Sequence, residues 1–126
     1  MPLNKPKHAI YATLGWLALI WTVSSTPAEK MPSLRILNWD KLAHAGVYLI
    51  LGLLVSRSIR LSCLNRSQAR WVWLAAFLSA GLDELHQLFI PGRSVNIWDF
   101  LANALGLGLA VLLCQKQHDR SQEPLS

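Results

Sequence analysis

Residues 71–90 read Trp-Val-Trp-Leu-Ala-Ala-Phe-Leu-Ser-Ala-Gly-Leu-Asp-Glu-Leu-His-Gln-Leu-Phe-Ile. The run is long enough for one membrane crossing, since a straight helix needs about 20 residues to traverse hydrocarbon. Its second half nevertheless sets Asp83 beside Glu84, with His86 and Gln87 close behind. A carboxylate in hydrocarbon costs on the order of 3 kcal/mol or more, so the pair needs either partners or a task. The stretch predicts a helical membrane fold and marks where function concentrates.

Composition agrees. The chain has 126 residues, which sets a prior of one domain, and is 52% hydrophobic but only 15% charged. Soluble domains are usually about a quarter charged. Beside residues 71–90 lie three further apolar blocks, 9–24, 42–56 and 100–114. These three span a bilayer only if the interfacial residues at their ends are counted. None alternates apolar with polar, which disfavours strands. The expected fold is an all-α membrane protein, a bundle of four short transmembrane helices over about 9–25, 40–59, 71–90 and 99–114. Residues 26–39 form an irregular loop marked by Pro27 and Pro32, and residues 60–70 a basic connection. Pro91-Gly92 suits a type II turn, and 115–126 read as a disordered tail.

The net charge of +5 is unevenly distributed. Lys5, Lys7, Arg57, Arg60, Arg66, Arg70, Lys116 and Arg120 fall on one side of the expected bundle, and Lys30, Arg35, Lys41 and Arg93 on the other. The positive-inside rule then puts both termini in the cytoplasm, N-in and C-in. Trp39 and Trp98 mark outer helix ends, and Trp71 and Trp73 an inner end, as interfacial tryptophans do. Nucleic-acid binding is disfavoured, because the basic residues do not interleave with exposed aromatics. Cys63 and Cys114 map to the cytoplasmic side and are expected to be reduced. Thr26-Pro27-Ala28 is a passable signal-cleavage site, but a retained first helix is preferred, since cleavage would leave three spans.

A short similarity links Asp40-Lys41-Leu42-Ala43-His44-Ala45 to Asp99-Phe100-Leu101-Ala102-Asn103-Ala104, each after a Trp. It suggests that helices one and two are repeated, in parallel orientation, by helices three and four. Polar side chains group by face and depth. Lys41, His44 and Tyr48 share one face of helix two. Asp83, Glu84 and Gln87 share a face of helix three with Ala76 and Ala80. Asp99, Asn103 and Gly106 form a stripe on helix four. Asp83 lies roughly 10 Å below the outer end of its helix at 1.5 Å per residue. All these residues, with Arg93 in the outer turn, fall in the outer half of the membrane. A pocket open to the outer face and lined by helices two, three and four is the expectation.

Each residue has a structural reading beside a functional one. Asp83 and Glu84 are either a proton-handling or substrate-binding pair, or structural ion-pair partners of Arg93 or Lys41. His44 is an acid/base group or an interhelical hydrogen-bond donor to Asp83 or Asn103. Asp40 and Asp99 read first as helix N-caps. Arg93 is an anion contact or a salt bridge to Asp99 or Glu84. Tyr48 is a hydrogen-bond partner, and Gly106 with Ala102 and Ala110 a close helix contact. His44, Asp83, Glu84 and His86 are a candidate metal-ligand set, but no HExxH or comparable spacing is present, and no cofactor or metal is expected.

Asp40-Lys41 with His44 and Tyr48, Asp83-Glu84 with Gln87, Pro91-Gly92-Arg93, and Asp99 with Asn103 and Gly106 follow one another in an order and spacing that resembles the VanZ-like membrane proteins. That family is named for a protein associated with resistance to the glycopeptide teicoplanin. The resemblance runs from about Trp39 to Gly108. It implies a small helical protein of the bacterial inner membrane and cell envelope, and it supplies no catalytic roles. Two functions are carried forward. In the first, the protein binds or processes a lipid-linked or anionic amphipathic envelope molecule. Lys41, Tyr48, Gln87, Arg93, Asp99 and Asn103 then line the site, and Asp83, Glu84 and His44 move protons. In the second, it is a non-catalytic accessory or proton-coupled transport protein whose polar cluster holds the bundle together. The partners expected are membrane lipids or a lipid-linked precursor, not nucleic acid. The sequence sets neither the reaction nor the oligomeric state.

Overall fold

The computed structural model describes residues 5–30 and 39–122. Loop positions Pro32 and Arg35, and residues 1–4 and 123–126, lie outside the described residues. The described chain is all-helical: α1 (Pro6–Ser24), α2 (Trp39–Leu61), α3 (Arg66–His86) and α4 (Ile97–Gln122), with single 3-10 turns at Ala28–Lys30 and Gln87–Phe89.

The helix ends follow local chemistry that the block-by-block reading missed. Pro6 stands at the first positions of α1, where its missing N–H costs nothing. The basic connection shrinks to residues 62–65. Asn65 caps α3: its side chain accepts from the Gln68 N–H at 2.8 Å, and Gln68 accepts from the Asn65 N–H at 3.0 Å. This reciprocal box starts the helix at Arg66, five residues before the apolar run. α2 closes with a Schellman motif, in which Leu64 N–H donates to Ile59 and Cys63 N–H to Arg60, both at 3.2 Å. Cys63 occupies the left-handed position at φ 51°, which glycine normally fills. Gly92, at φ 74°, sits third in a turn closed by Arg93 N–H to Ile90 O at 3.1 Å, as the Pro-Gly reading required. α3 breaks into its 3-10 turn after His86, so residues 87–90 do not continue it. α4 in turn runs on to Gln122, through most of the segment read as a disordered tail.

The centre of the bundle is the α2–α4 pair. Lys41 reaches Asp99, His44 reaches Asn103, and Gly52 abuts Ala110. The partners stay 58 or 59 residues apart along the contact, so the two helices run parallel with almost no stagger. This is the register of the sequence similarity, which extends back to Pro32 with Pro91 and Trp39 with Trp98. Glycine permits the close approach. A Cβ on Gly106 would strike the Ala45 carbonyl oxygen and come within 2.8 Å of Leu49 N, and one on Gly52 would strike the Ala110 methyl. Tyr48, Leu51, Leu107 and Ala110 are buried along the seam.

α1 crosses α2, with Trp16 Nε1 donating to the Val47 carbonyl at 3.0 Å and Thr13 bonded to Ser58 at 2.9 Å. α3 lies over the α2–α4 pair through Ala76, Ala80 and Asp83. Among the described residues, two helices are long and apolar enough to cross a membrane: α2 over Asp40–Leu61 and α4 over Ile97–Lys116. α3, which contains the longest apolar run, is not one of them. It begins among Arg66 and Arg70 and ends with Asp83, Glu84 and His86, and these charges offset its leucines. At the end of α3 the apolar side chains face outward and the charged ones inward. Leu82 and Leu85 are 55% and 54% exposed, whereas Asp83 and Glu84 between them are 3% and 4% exposed. That inversion is expected of a protein surrounded by hydrocarbon.

Two substitutions test these contacts. Gly106→Ala should force α4 off α2 and destabilise by about 1–3 kcal/mol. Gly108→Ala, with nothing within 4 Å of its Cβ, should not, and thermal melts in detergent compare the two. Cys63→Gly should relieve the left-handed residue and raise stability by about 1 kcal/mol. An unchanged or lowered melting temperature would contradict the cap geometry.

Candidate functional site

The polar residues form two connected layers at the end of the bundle that carries the α3–α4 turn. The first sits on the N-termini of α2 and α4. Lys41 Nζ lies 2.9 Å from Asp40 Oδ2 and 2.5 Å from Asp99 Oδ1, bridging two acids that the repeat makes equivalent. His44 Nδ1 is 2.9 Å from Asn103 Oδ1, and its Nε2 is 3.9 Å from Asp99 Oδ2. His44 and Asn103 are themselves equivalent positions, so this bond joins the two repeats at their shared seam. With Nδ1–H donating to Asn103, Nε2 faces Asp99.

Asp40 and Asp99, expected as helix caps, both lie inside their helices, because α2 begins at Trp39. α4 begins at Ile97, and Asn96 is the cap. Its side chain accepts from Trp98 N–H at 3.0 Å, and its carbonyl accepts from Asp99 and Phe100. Asp99 thus lies one turn inside, free to bind Lys41.

The second layer is carried by α3. Tyr48 Oη donates to Asp83 Oδ2 at 2.9 Å, fully buried, and the Asn96 N–H donates to Glu84 Oε1 at 3.0 Å. The cap residue of α4 therefore also holds Glu84. One oxygen of each carboxylate is satisfied, and the other is not: Asp83 Oδ1 and Glu84 Oε2 are buried without a hydrogen-bond partner, as is Asn103 Nδ2. Lys41 pairs with Asp40 and Asp99, and His44 Nε2 faces the Asp99 carboxylate. Neither Arg93 nor Lys41 pairs with Asp83 or Glu84.

Seven of the nine sequence-derived site residues meet here: Lys41, His44, Tyr48, Asp83, Glu84, Asp99 and Asn103. Gln87 and Arg93 do not join them. Gln87 Nε2 donates to Ser24 Oγ at 2.6 Å and to the Ser24 carbonyl at 3.3 Å. Arg93 donates to the carbonyls of Thr26 and Val23 at 3.1 and 3.5 Å. Both satisfy the end of α1, where helical carbonyls lack intrahelical partners and carry negative partial charge. His86 completes this clasp, bonded to Ser25 Oγ at 2.8 Å and stacked at 5.1 Å from Trp21. Ser24, Ser25, Thr26 and Asn96 are not among the expected site residues. A signal existed for each: a hydroxyl-rich helix end that needs donors, and an Asn directly before an apolar helical run.

Two shallow, open grooves run over the surface. Lys41, Trp98, Leu101, Ala102 and Leu105 line one, and the other is apolar and runs past Phe77, Leu105 and Leu109. Neither is lined by Asp83 or Glu84, which are packed among α2, α3 and the α4 cap. Among the described residues no group of three or more His, Cys, Asp or Glu side chains is placed to hold a metal ion.

No curated protein and no solved structure matches the chain. The family model described as VanZ/LLP1 matches residues 6–116, a span that takes in α1, α2, α3, both polar layers and α4 as far as Lys116. The protein therefore belongs to the VanZ/LLP1 family.

Proposed function

We propose that this protein is a four-span protein of the bacterial cytoplasmic membrane, N-in and C-in, that binds the anionic head of an envelope amphiphile at the outer ends of α2 and α4. The amphiphile is a membrane lipid or a lipid-linked precursor. The observation that carries the reading is the groove headed by Lys41. The ammonium stands above Leu101, Ala102 and Leu105, with the exposed indole of Trp98 at the rim. Such a surface fits a phosphate over an acyl chain: lysine reaches the interface while its stem covers apolar surface, and tryptophan prefers the same depth. The N-termini of two parallel helices add positive partial charge beside it. An incoming phosphate competes with Asp40 and Asp99 for Lys41, so binding is exchangeable rather than permanent.

Arg93, the other cation considered for an anionic head, is bound to the end of α1 and has no part in this site. The family name suggests teicoplanin resistance as a phenotype, and deletion followed by susceptibility testing addresses that directly. A second reading, a non-catalytic accessory protein, draws on the interhelical bonds of Lys41 with Asp99 and of His44 with Asn103, which hold α2 to α4 whether or not a ligand binds.

Topology is tested with Asn65→Cys and Val95→Cys, each in a background of Cys63→Ser and Cys114→Ser. A membrane-impermeant maleimide on intact cells should label position 95 and not 65, and labelling at 65 reverses the orientation. For the ligand, Lys41→Gln should lower anionic lipid retained through purification, read by mass spectrometry, by about tenfold, as expected for one charge-assisted contact. Unchanged lipid with reduced folded yield favours the accessory reading.

A further inference from the structure

The buried Asp83–Glu84 pair lies outside the Lys41 groove and is not used by the anion-binding reading. Its surroundings are unusual for two carboxylates. They are adjacent in sequence, both more than nine-tenths buried, and each offers one oxygen atom with no partner. α2 presents Tyr48, whose hydroxyl donates to Asp83, and His44, whose ring is already bonded to Asn103. α4 presents Asp99, itself negative and bound to Lys41, and the loop before α4 contributes only the Asn96 N–H. The titratable groups around Glu84 are therefore Asp83, Asp99 and His44. Lys41 is held between two aspartates and Arg93 on α1 carbonyls, and neither bonds to Asp83 or Glu84.

Two uncompensated charges in so enclosed a place are untenable. Isolated ionised carboxylates cost far more to bury than protons cost to bind, and of two neighbouring acids one gives way first. A cation is the other route to neutrality; no group of three or more His, Cys, Asp or Glu side chains is placed to hold a metal ion among the described residues, which leaves a monovalent cation between the two carboxylates as the competitor.

We infer that Asp83 and Glu84 form an intramembrane proton-binding site, in which Glu84 carries an exchangeable proton on Oε2 beside Asp83, whose carboxylate Tyr48 holds. The asymmetry follows from position. Asp83 receives a hydroxyl donor and lies deeper, against Tyr48, which is 1% exposed. Glu84 is tied to Asn96, at the foot of the loop that contains the exposed residues Ser94 and Val95. Protons thus reach the pair from the α3–α4 loop side, past Asn96. The ligand is a proton, with a monovalent metal cation as the competing occupant. The inference does not depend on lipid binding at Lys41.

Infrared spectroscopy of the purified protein in nanodiscs tests it. At neutral pH the wild type should show the C=O stretch of a protonated carboxyl group, shifted on exchange into D2O and lost as pH is raised. Carbon-13 labelling of glutamate should move this band, and labelling of aspartate should not. Glu84→Gln should abolish it in protein that remains helical and monodisperse. Because isotope labelling assigns the band in the unmodified chain, a variant that fails to fold does not block the test. Absence of the band at neutral pH overturns the proposal. So does a band that follows the aspartate label, persists in folded Glu84→Gln, or disappears when sodium replaces potassium at constant pH.

Discussion

The approach of α4 to α2 at Gly106 underlies the arrangement of every functional side chain described above. With no side chain there, the α4 backbone rests against the Ala45 carbonyl and Leu49 amide. In a hydrocarbon surrounding, helices gain little from burying apolar surface against each other, and close packing of small residues takes that place. The contact fixes two things at once, the spacing and the register of a parallel pair. Both are needed before Lys41 can span Asp40 and Asp99, or His44 can meet Asn103.

Once that pair is formed, the polar residues have few other places to go. The outward surface is leucine, and the two acids of α3 turn inward between Leu82 and Leu85. Tyr48 and the Asn96 amide then supply one hydrogen bond to each acid, and the backbone cap of α4 and the carboxylate of α3 become parts of one structure. The C-terminus of α1 is secured separately by Gln87, His86 and Arg93. A division of labour results. The residues beyond Asp83 and Glu84 close the bundle over α1, while those on α2 and α4 build the charged layer. Membership of the VanZ/LLP1 family, matched over residues 6–116, extends across both parts.

The repeat connects sequence to architecture most directly. A six-residue likeness proposed a parallel arrangement of two helix pairs. The hydrogen bonds of α2 and α4 fall in that same register, with equivalent residues His44 and Asn103 bonded to each other. The repeats are not chemically equal. Phe100 stands where the first repeat has Lys41, so a single ammonium serves both aspartates, and Leu107 stands where it has Tyr48. The buried acids of α3 meet Tyr48 on α2 and a backbone amide before α4, so the site is one-sided although the α2 and α4 segments are repeats.

By itself the sequence determined the all-helical class, the number of helices, the Pro-Gly turn, and the faces on which Lys41, His44, Tyr48, Asp83, Glu84, Asp99 and Asn103 lie. Periodicity and turn chemistry are local, and a side chain's face follows from its spacing along one helix. Helix ends were less legible, because apolar runs do not mark the polar caps at Asn65 and Asn96 that start α3 and α4. Partners were decided by the tertiary structure alone. Gln87 and Arg93 carry the same chemistry as their neighbours in the cluster, yet they serve α1. The chain reverses after His86 and again at Gly92, and this brings them to carbonyls that no sequence spacing connects to residues 60 to 70 positions away.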